Sequence, residues 1–380
     1  MTKSIFKLSD ISNDIDKNIN IKIFFSKNES DFNIICNDLH KELTLVKNEI
    51  DKTSDWDNIK KIINTYERVY IPNNDSIAKY KPISRAYFKL WETFYNFPNL
   101  GHNLDKQIIS LHLAEGPGGF IEALQNYRKK IYQFNDQVFA TTLQPSESRI
   151  PGWKGKVQNI NNVNLFYGDI CANNYYLQVS NMMEKQKADI ITADGAFDCS
   201  NDFNKQERTS SKLIFGEIIL ALATQKINGS FIIKIFDIFD ILTIKMVYFL
   251  TIYYNIVYIT KPLTSREGNS EKYIVAQNFK GISLNEIVKL NNILSVWNKL
   301  DDYYVIDIFN FELSPKFINE ISEINEMIIR KQITSLNRGI KIIKNGITPT
   351  SIKIIESRQK HMAIKWCQKY ELRYNKLNTY

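Results

Sequence analysis

Lys234 stands inside Ser-Phe-Ile-Ile-Lys-Ile-Phe, residues 230–236, an otherwise apolar run with the length and composition of a buried strand. An unpaired ammonium is costly to bury, so this lysine needs either carboxylate partners or a chemical task. Three other residues could share its cleft if their elements lie side by side. Asp194 follows the apolar run Asp189–Ala193, Glu271 opens the run Lys272–Gln277, and Lys89 lies in the helical segment Ser84–Phe97. Burial and Lys89 would push Lys234 towards the neutral amine that a proton acceptor needs, whereas the two carboxylates would hold it charged. Each of the other three has an ordinary reading alone: Lys89 as a solvated helix face, Asp194 as a turn, Glu271 as a strand-end charge.

A second chemical feature is the stretch Glu115-Gly116-Pro117-Gly118-Gly119-Phe120, between the apolar run Ile108–Leu113 and a helix-like segment, Gly119–Arg128. Glycines at a strand-to-helix junction allow close backbone approach and leave free N–H groups at a helix N-terminus. The spacing is not G-x-G-x-x-G, and the Lys-Ser/Thr pair of a phosphate loop is absent, which argues against NAD and against ATP. An acid at the strand end suits a ligand carrying an ammonium and a carboxylate. S-adenosylmethionine has both, plus a positive sulfonium, and Glu115 would face its amino-acid end. Asp169, just after the run Val163–Tyr167, could accept from an adenine amino group, and Asp194 would lie near the methyl position. The competing reading is a glycine turn that merely lets strand and helix pack.

The elements that must position these residues alternate. Strands are predicted at Ile108–Leu113, Gln137–Leu143, Val163–Tyr167, Asp189–Ala193, Ser230–Phe236, Asn255–Thr260 and Lys272–Gln277, with helices at Gly119–Arg128 and Ser211–Gln225 among them. Such alternation predicts an α/β fold with a mostly parallel sheet, helices on both faces and ligands at the carboxyl ends of the strands. Residues 1–80, rich in Asn, Asp, Lys and Ser, read as helices and loops, and residues 285–380 as a helical extension of a core at 81–284.

Composition narrows the class. Of 380 residues 44% are hydrophobic and 12% aromatic, enough for a sizeable core, and the net charge of +8 suits a polyanionic partner such as nucleic acid. Cys36, Cys171, Cys199 and Cys367 show no C-x-x-C spacing, so neither a zinc site nor a disulfide framework is expected. No signal-peptide pattern opens the sequence, which predicts a reducing intracellular setting. The most apolar window, from Phe231, is interrupted by Lys234, Asp237, Asp240 and Lys245, so no membrane span is expected.

In order and in their surrounding words, Lys89, Asp194, Lys234 and Glu271 resemble the Lys-Asp-Lys-Glu tetrad of the FtsJ-like (RrmJ-type) ribose 2′-O-methyltransferases. "SRAYFKLWE", "EGPGGF", "ADIITADGAF", "GSFIIKIF" and "KPLTSREGNSEKYIVAQ" match the family's motifs over roughly residues 81–280. The resemblance implies a class I methyltransferase fold, that is, a Rossmann-like, doubly wound, mostly parallel seven-stranded sheet, here with helical N- and C-terminal extensions. It implies S-adenosylmethionine as cofactor, no metal, and Lys234 as base or alkoxide stabiliser, oriented by Asp194 and Glu271 with Lys89 completing the network.

Within the family the sequence looks most like the mRNA cap branch. Ribosomal members usually carry Ala-Ala-Pro-Gly-Gly in the loop and little beyond the core. The resemblance therefore implies transfer to a 5′-terminal nucleotide of capped mRNA, with other capping or polyadenylation enzymes as candidate partners. The abundance of Ile, Asn and Lys suits an AT-rich source such as a large DNA virus or a protist, hence a host cytoplasm, a virion or a nucleus. Lys81, Arg85, Lys261 and Arg266 are candidate phosphate contacts, and Trp153 is a candidate stacking platform for a cap guanine or simply a loop anchor. One departure concerns the end of the second strand, where "ATTLQPS" offers Gln144 in place of the usual ribose-binding acid. The alternatives are a ribosomal or transfer RNA 2′-O-methyltransferase, and an RNA-binding scaffold on the same fold.

Overall fold

The structure, a computed structural model, describes residues 4–9, 21–53, 55–72, 76–100, 106–131, 135–146, 150–197 and 202–375. From the N-terminus come β1 (Ile5–Lys7), β2 (Ile21–Ser26), α1 (Asn37–Asp51), α2 (Trp56–Ile63) and α3 (Ala86–Asn96). The central alternation follows: β3 (Ile109–Leu113), α4 (Gly119–Ile131), β4 (Gln137–Thr142), α5 (Gly155–Gln158), β5 (Val163–Tyr167), α6 (Tyr175–Met182), β6 (Ala188–Ala193), α7 (Gln206–Thr224), β7 (Gln225–Ile235), α8 (Ile241–Tyr253), β8 (Tyr254–Thr260) and β9 (Lys272–Phe279). The chain then continues through α9 (Leu284–Trp297), β10 (Tyr304–Phe309), α10 (Pro315–Asn345) and α11 (Pro349–Lys369).

One eight-stranded sheet runs β1-β8-β9-β7-β6-β3-β4-β5. From β7 to β5 the strands are parallel, whereas β9 pairs antiparallel with both β7 and β8. The parallel strands are near-continuous apolar runs because both of their faces are covered. The period of two decides which face each residue serves. Phe231, Ile233 and Ile235 join a core with α6, α7, α8 and α9, while Ile232 joins a second core with α3, α4 and α11. Lys234 follows Ile232 on that second face, the face of α3 and therefore of Lys89.

The seven expected strands all form, within a few residues of their predicted ends. The sheet is nevertheless wider than expected, because β1 adds an eighth strand antiparallel to β8. Residues 21–26 and 304–309, which fell in stretches read as helix and loop, pair as a separate two-stranded sheet. Their partners lie far apart in sequence, so no local pattern reveals the pairing. The extensions also pack on each other: Leu39, Leu43 and Ile50 of α1 share a cluster with Ile329, Ile333 and Leu336 of α10. No described helix is long and apolar enough to cross a membrane.

Candidate active site

Lys234, Asp194, Glu271 and Lys89 are brought together at the carboxyl edge of the sheet as two ion pairs. Lys234, 6% exposed near the end of β7, places Nζ 3.1 Å from Asp194 Oδ1 and donates to the Asp194 carbonyl at 2.6 Å. Lys89 of α3 donates to Glu271 Oε2 at 2.6 Å. The register explains the meeting, since Lys234 pairs with Tyr273, two residues beyond Glu271, and Asp194 follows the end of the adjacent β6. Tyr273 completes the group by donating its hydroxyl to Asp194 Oδ1 at 2.8 Å.

Burial pulls Lys234 towards the neutral amine, but Asp194 and Glu271 outweigh it and hold the amine above its ordinary value. The resting lysine is therefore an ammonium at neutral pH. Burial likewise opposes the charge on Glu271, and Lys89 and Lys234 overcome it, bringing that carboxyl down to about 2.

The glycine loop lies beside this group. Gly118 has φ +112, and a Cβ there would meet Val157 Cγ2 at 2.5 Å; one on Gly116 would meet the Pro151 carbonyl at 1.9 Å. Both positions thus require glycine for tight packing against residues 151–157. Gly119 opens α4, whose first N–H groups have no intrahelical acceptor. Phe120 is buried, its ring 5.9 Å from that of Tyr273, the residue that donates to Asp194. Glu115, expected at the amino-acid end of the cofactor, is buried in the structure. Its carboxylate turns inward, held by His112 Nδ1 at 3.0 Å and by the Thr192 hydroxyl, and the residue is 3% exposed. Asp169 is exposed at the end of β5, one oxygen accepting from the Cys171 amide at 2.8 Å and the other available. Gln144 is exposed just past β4. Asp169 at a strand end, a helix N-terminus and Asp194 on one edge are donors and acceptors of the kinds that the adenine, carboxylate and sulfonium of S-adenosylmethionine require. Among the described residues, no group of three or more His, Cys, Asp or Glu is placed to hold a metal ion.

The sequence profile of the FtsJ-like methyltransferases matches residues 82–279, a span that takes in the whole tetrad and the glycine loop. The chain belongs to the FtsJ-like methyltransferase family. It is 27% identical over 286 residues to cap-specific mRNA (nucleoside-2′-O-)-methyltransferase 2 of Drosophila melanogaster, covering 70% of this chain and 40% of that protein. The protein of the same name from Pongo abelii is 28% identical over 272 residues, 68% of this chain and 35% of that one. An uncharacterised protein of Acanthamoeba polyphaga mimivirus is 26% identical over 298 residues, 75% of this chain and 36% of that protein. The chain thus spans less than half the length of these relatives.

In this FtsJ-like methyltransferase most of the residues expected to contact RNA are committed to internal partners. Trp153 is 8% exposed among Ile121, Val138, Ala140 and Val157, and its indole donates to the Phe166 carbonyl at 3.1 Å. It anchors its loop and offers no stacking face; Arg149, one of the cations around it, lies outside the described residues. Arg85 and Arg266 both pair with the buried Glu67, at 3.2 and 2.8 Å. Lys261 donates to the carbonyls of Asn269 and Glu271 at 2.6 and 2.9 Å, and burial together with Lys272 brings its ammonium down to about 7. These three hold the loop after β8 in place instead of projecting to solvent. Lys81 is exposed.

Two side chains of the site were not foreseen. Glu92, one turn beyond Lys89, accepts from the amides of Leu263 and Thr264 and from the Trp366 indole, at 2.7, 3.2 and 2.9 Å. It ties α3, the loop after β8 and α11 into one frame. Glu217 of α7 is fully buried beneath Gly195, with no hydrogen-bonding side chain at either oxygen. Burial raises its pKa well above the ordinary range; Lys234 opposes and Asp194 reinforces the shift. A raised carboxyl stabilises the fold fully below its unfolded value of 4.5, and that contribution is lost as pH rises through the folded value. Glu217→Gln is therefore expected to melt higher than wild type at pH 8, with the gap narrowing towards pH 5 in thermal unfolding curves. A gap independent of pH would contradict a neutral Glu217.

Proposed function

We propose that the chain transfers the methyl group of S-adenosylmethionine to the ribose 2′-hydroxyl of a 5′-terminal transcribed nucleotide in capped mRNA. The observation that carries this reading is the buried Lys234 beside Asp194 and near the Lys89–Glu271 pair, on the edge that also carries the glycine loop. The cap-specific relatives support the choice of RNA.

When bound, S-adenosylmethionine supplies an electrophilic methyl carbon on a positively charged sulfur. The loop Gly116–Phe120 and the start of α4 would hold its amino-acid end, Asp169 its adenine and Asp194 the region of the sulfonium. Asp194 is the main group holding Lys234 protonated, so a positive charge beside that carboxylate would lower the lysine's proton affinity. Lys234 is then the proton acceptor for the 2′-hydroxyl. The cofactor would supply the methyl group and its sulfur would leave with the electron pair, while Lys234 Nζ would take the hydroxyl proton. Lys89 fixes Glu271, and Tyr273 fixes Asp194, so the amine is positioned before substrate arrives.

Purified protein with labelled cofactor and three RNAs, N7-methylguanosine-capped, guanosine-capped and uncapped, tests the choice of substrate. Label is expected on capped RNA. Equal labelling of uncapped RNA would move the activity to structured ribosomal or transfer RNA.

A further inference from the structure

The residue row that carries Lys234 continues across the sheet. Lys234 pairs with Tyr273, Tyr273 with Thr260, and Thr260 with Ile5. Lys261 and Ser4 lie one step further towards the same edge, joined by a hydrogen bond of 3.0 Å. At about 4.8 Å per strand they stand roughly 10–15 Å from Lys234, along the edge that carries the active site.

A cavity of about 470 Å³ opens there, between the loop after β8 and α10. Its volume falls in the range of small-ligand sites. Tyr66, Pro262, Leu263 and Ile328 give it largely apolar walls; Glu267 is the carboxylate on its lining, against the cations Lys261, Arg330, Lys331 and Arg338. On α10, Ile328, Lys331, Ser335 and Arg338 recur at helical spacing on the lining face; Lys331 and Arg338 are exposed, and one guanidinium nitrogen of Arg338 donates to the Ile63 carbonyl. Ser335 Oγ is buried and has no hydrogen-bond partner. Apolar walls with a tyrosine, an unanswered hydroxyl and cations at the solvent side match a nucleobase with its phosphate.

We infer that this cavity receives a nucleotide of the RNA substrate flanking the acceptor ribose, with the base against the apolar wall and its phosphate towards Lys331 and Arg338. The inference rests on the RNA reading above and adds the direction in which the strand leaves the tetrad. The C-terminal extension is then part of the substrate site, with α10 forming one wall of the cavity.

Thr334→Trp, from an exposed position lining the cavity, fills it, and Lys331→Glu reverses its charge; neither touches the tetrad or the glycine loop. Binding of fluorescently labelled capped and uncapped RNA is read by anisotropy, with cofactor affinity by calorimetry and melting temperature as folding controls. Each variant is expected to weaken capped-RNA binding by about tenfold or more, with cofactor affinity unchanged. Weakening confined to capped RNA assigns the cavity to the cap guanosine, and weakening of both RNAs assigns it to a transcribed nucleotide. Affinities within twofold of wild type for both RNAs in both variants would overturn the inference. Wild-type protein that binds RNA through this cavity yet methylates none would overturn the function while leaving the cavity assignment intact.

Discussion

Lys234→Ala is expected to lower the rate of methyl transfer by about 10²–10⁴-fold while S-adenosylmethionine still binds. The residue contacts Asp194 and carries the only amine of β7 that the register brings against the tetrad's carboxylates. Lys234→Arg sharpens the test. Arginine keeps the positive charge and can pair with Asp194, but it does not give up its proton under assay conditions, so it cannot accept one. If Lys234 is the proton acceptor, the arginine variant is nearly as impaired as the alanine variant. If Lys234 acts only through its charge, the arginine variant retains most of the rate. The pH profile carries the same information. Because Asp194 and Glu271 hold Lys234 above the ordinary lysine value, the rate is expected to climb as pH rises above neutral. Glu271→Gln removes one of the charges that raise Lys234, so the climb shifts to lower pH. A rate independent of pH in both proteins would contradict proton transfer to Lys234.

The second large effect is structural. Glu67→Ala is expected to destabilise the protein by about 3 kcal/mol, read as a lower urea midpoint at unchanged slope. Glu67 accepts from Arg266 at 3.1 and 2.8 Å and pairs with Arg85, whose Nε in turn holds the Thr264 carbonyl at 3.2 Å. Removing the carboxylate leaves two largely buried guanidinium groups facing each other without an anion. Burial already draws Arg85 down to about 10, and Glu67 is the main group opposing that shift. Glu67→Gln keeps the shape and one acceptor oxygen, and is expected to recover only part of the loss. Wild-type stability in the alanine variant would show that the cluster is solvated.

Local pattern carried most of the core. A lysine inside an apolar strand announces a charge with a purpose, and Lys234 meets the partners expected of it. The same logic applied to "FGEIILALA" would have found Glu217, an acid inside an apolar helix, but helical burial is harder to read because one face of a helix is ordinarily polar. The beginning of α7 was placed late, at Ser211 rather than Gln206, because its first turn is polar. Glu207 in that turn is anchored by the backbone amides of Phe239 and Asp240, partners far along the chain. Arg85, Arg266 and Trp153 were read outward because charged and aromatic loop residues usually face solvent or ligand. Their actual partners, Glu67 and the Phe166 carbonyl, become neighbours only in the folded chain. Glu115 turned inward for a related reason: His112 and Thr192, on adjacent strands, reach its carboxylate first.

The central claim is chemical: the methyl group goes to a ribose 2′-oxygen. Alkaline hydrolysis of RNA labelled by the wild-type protein tests it most directly, because cleavage of the adjoining phosphodiester requires a free 2′-hydroxyl. The account predicts that the label stays in an alkali-resistant fragment that retains the phosphodiester next to the methylated ribose, and that Lys234→Ala yields none. Label released as an ordinary mononucleotide would place the methyl on a base and contradict it.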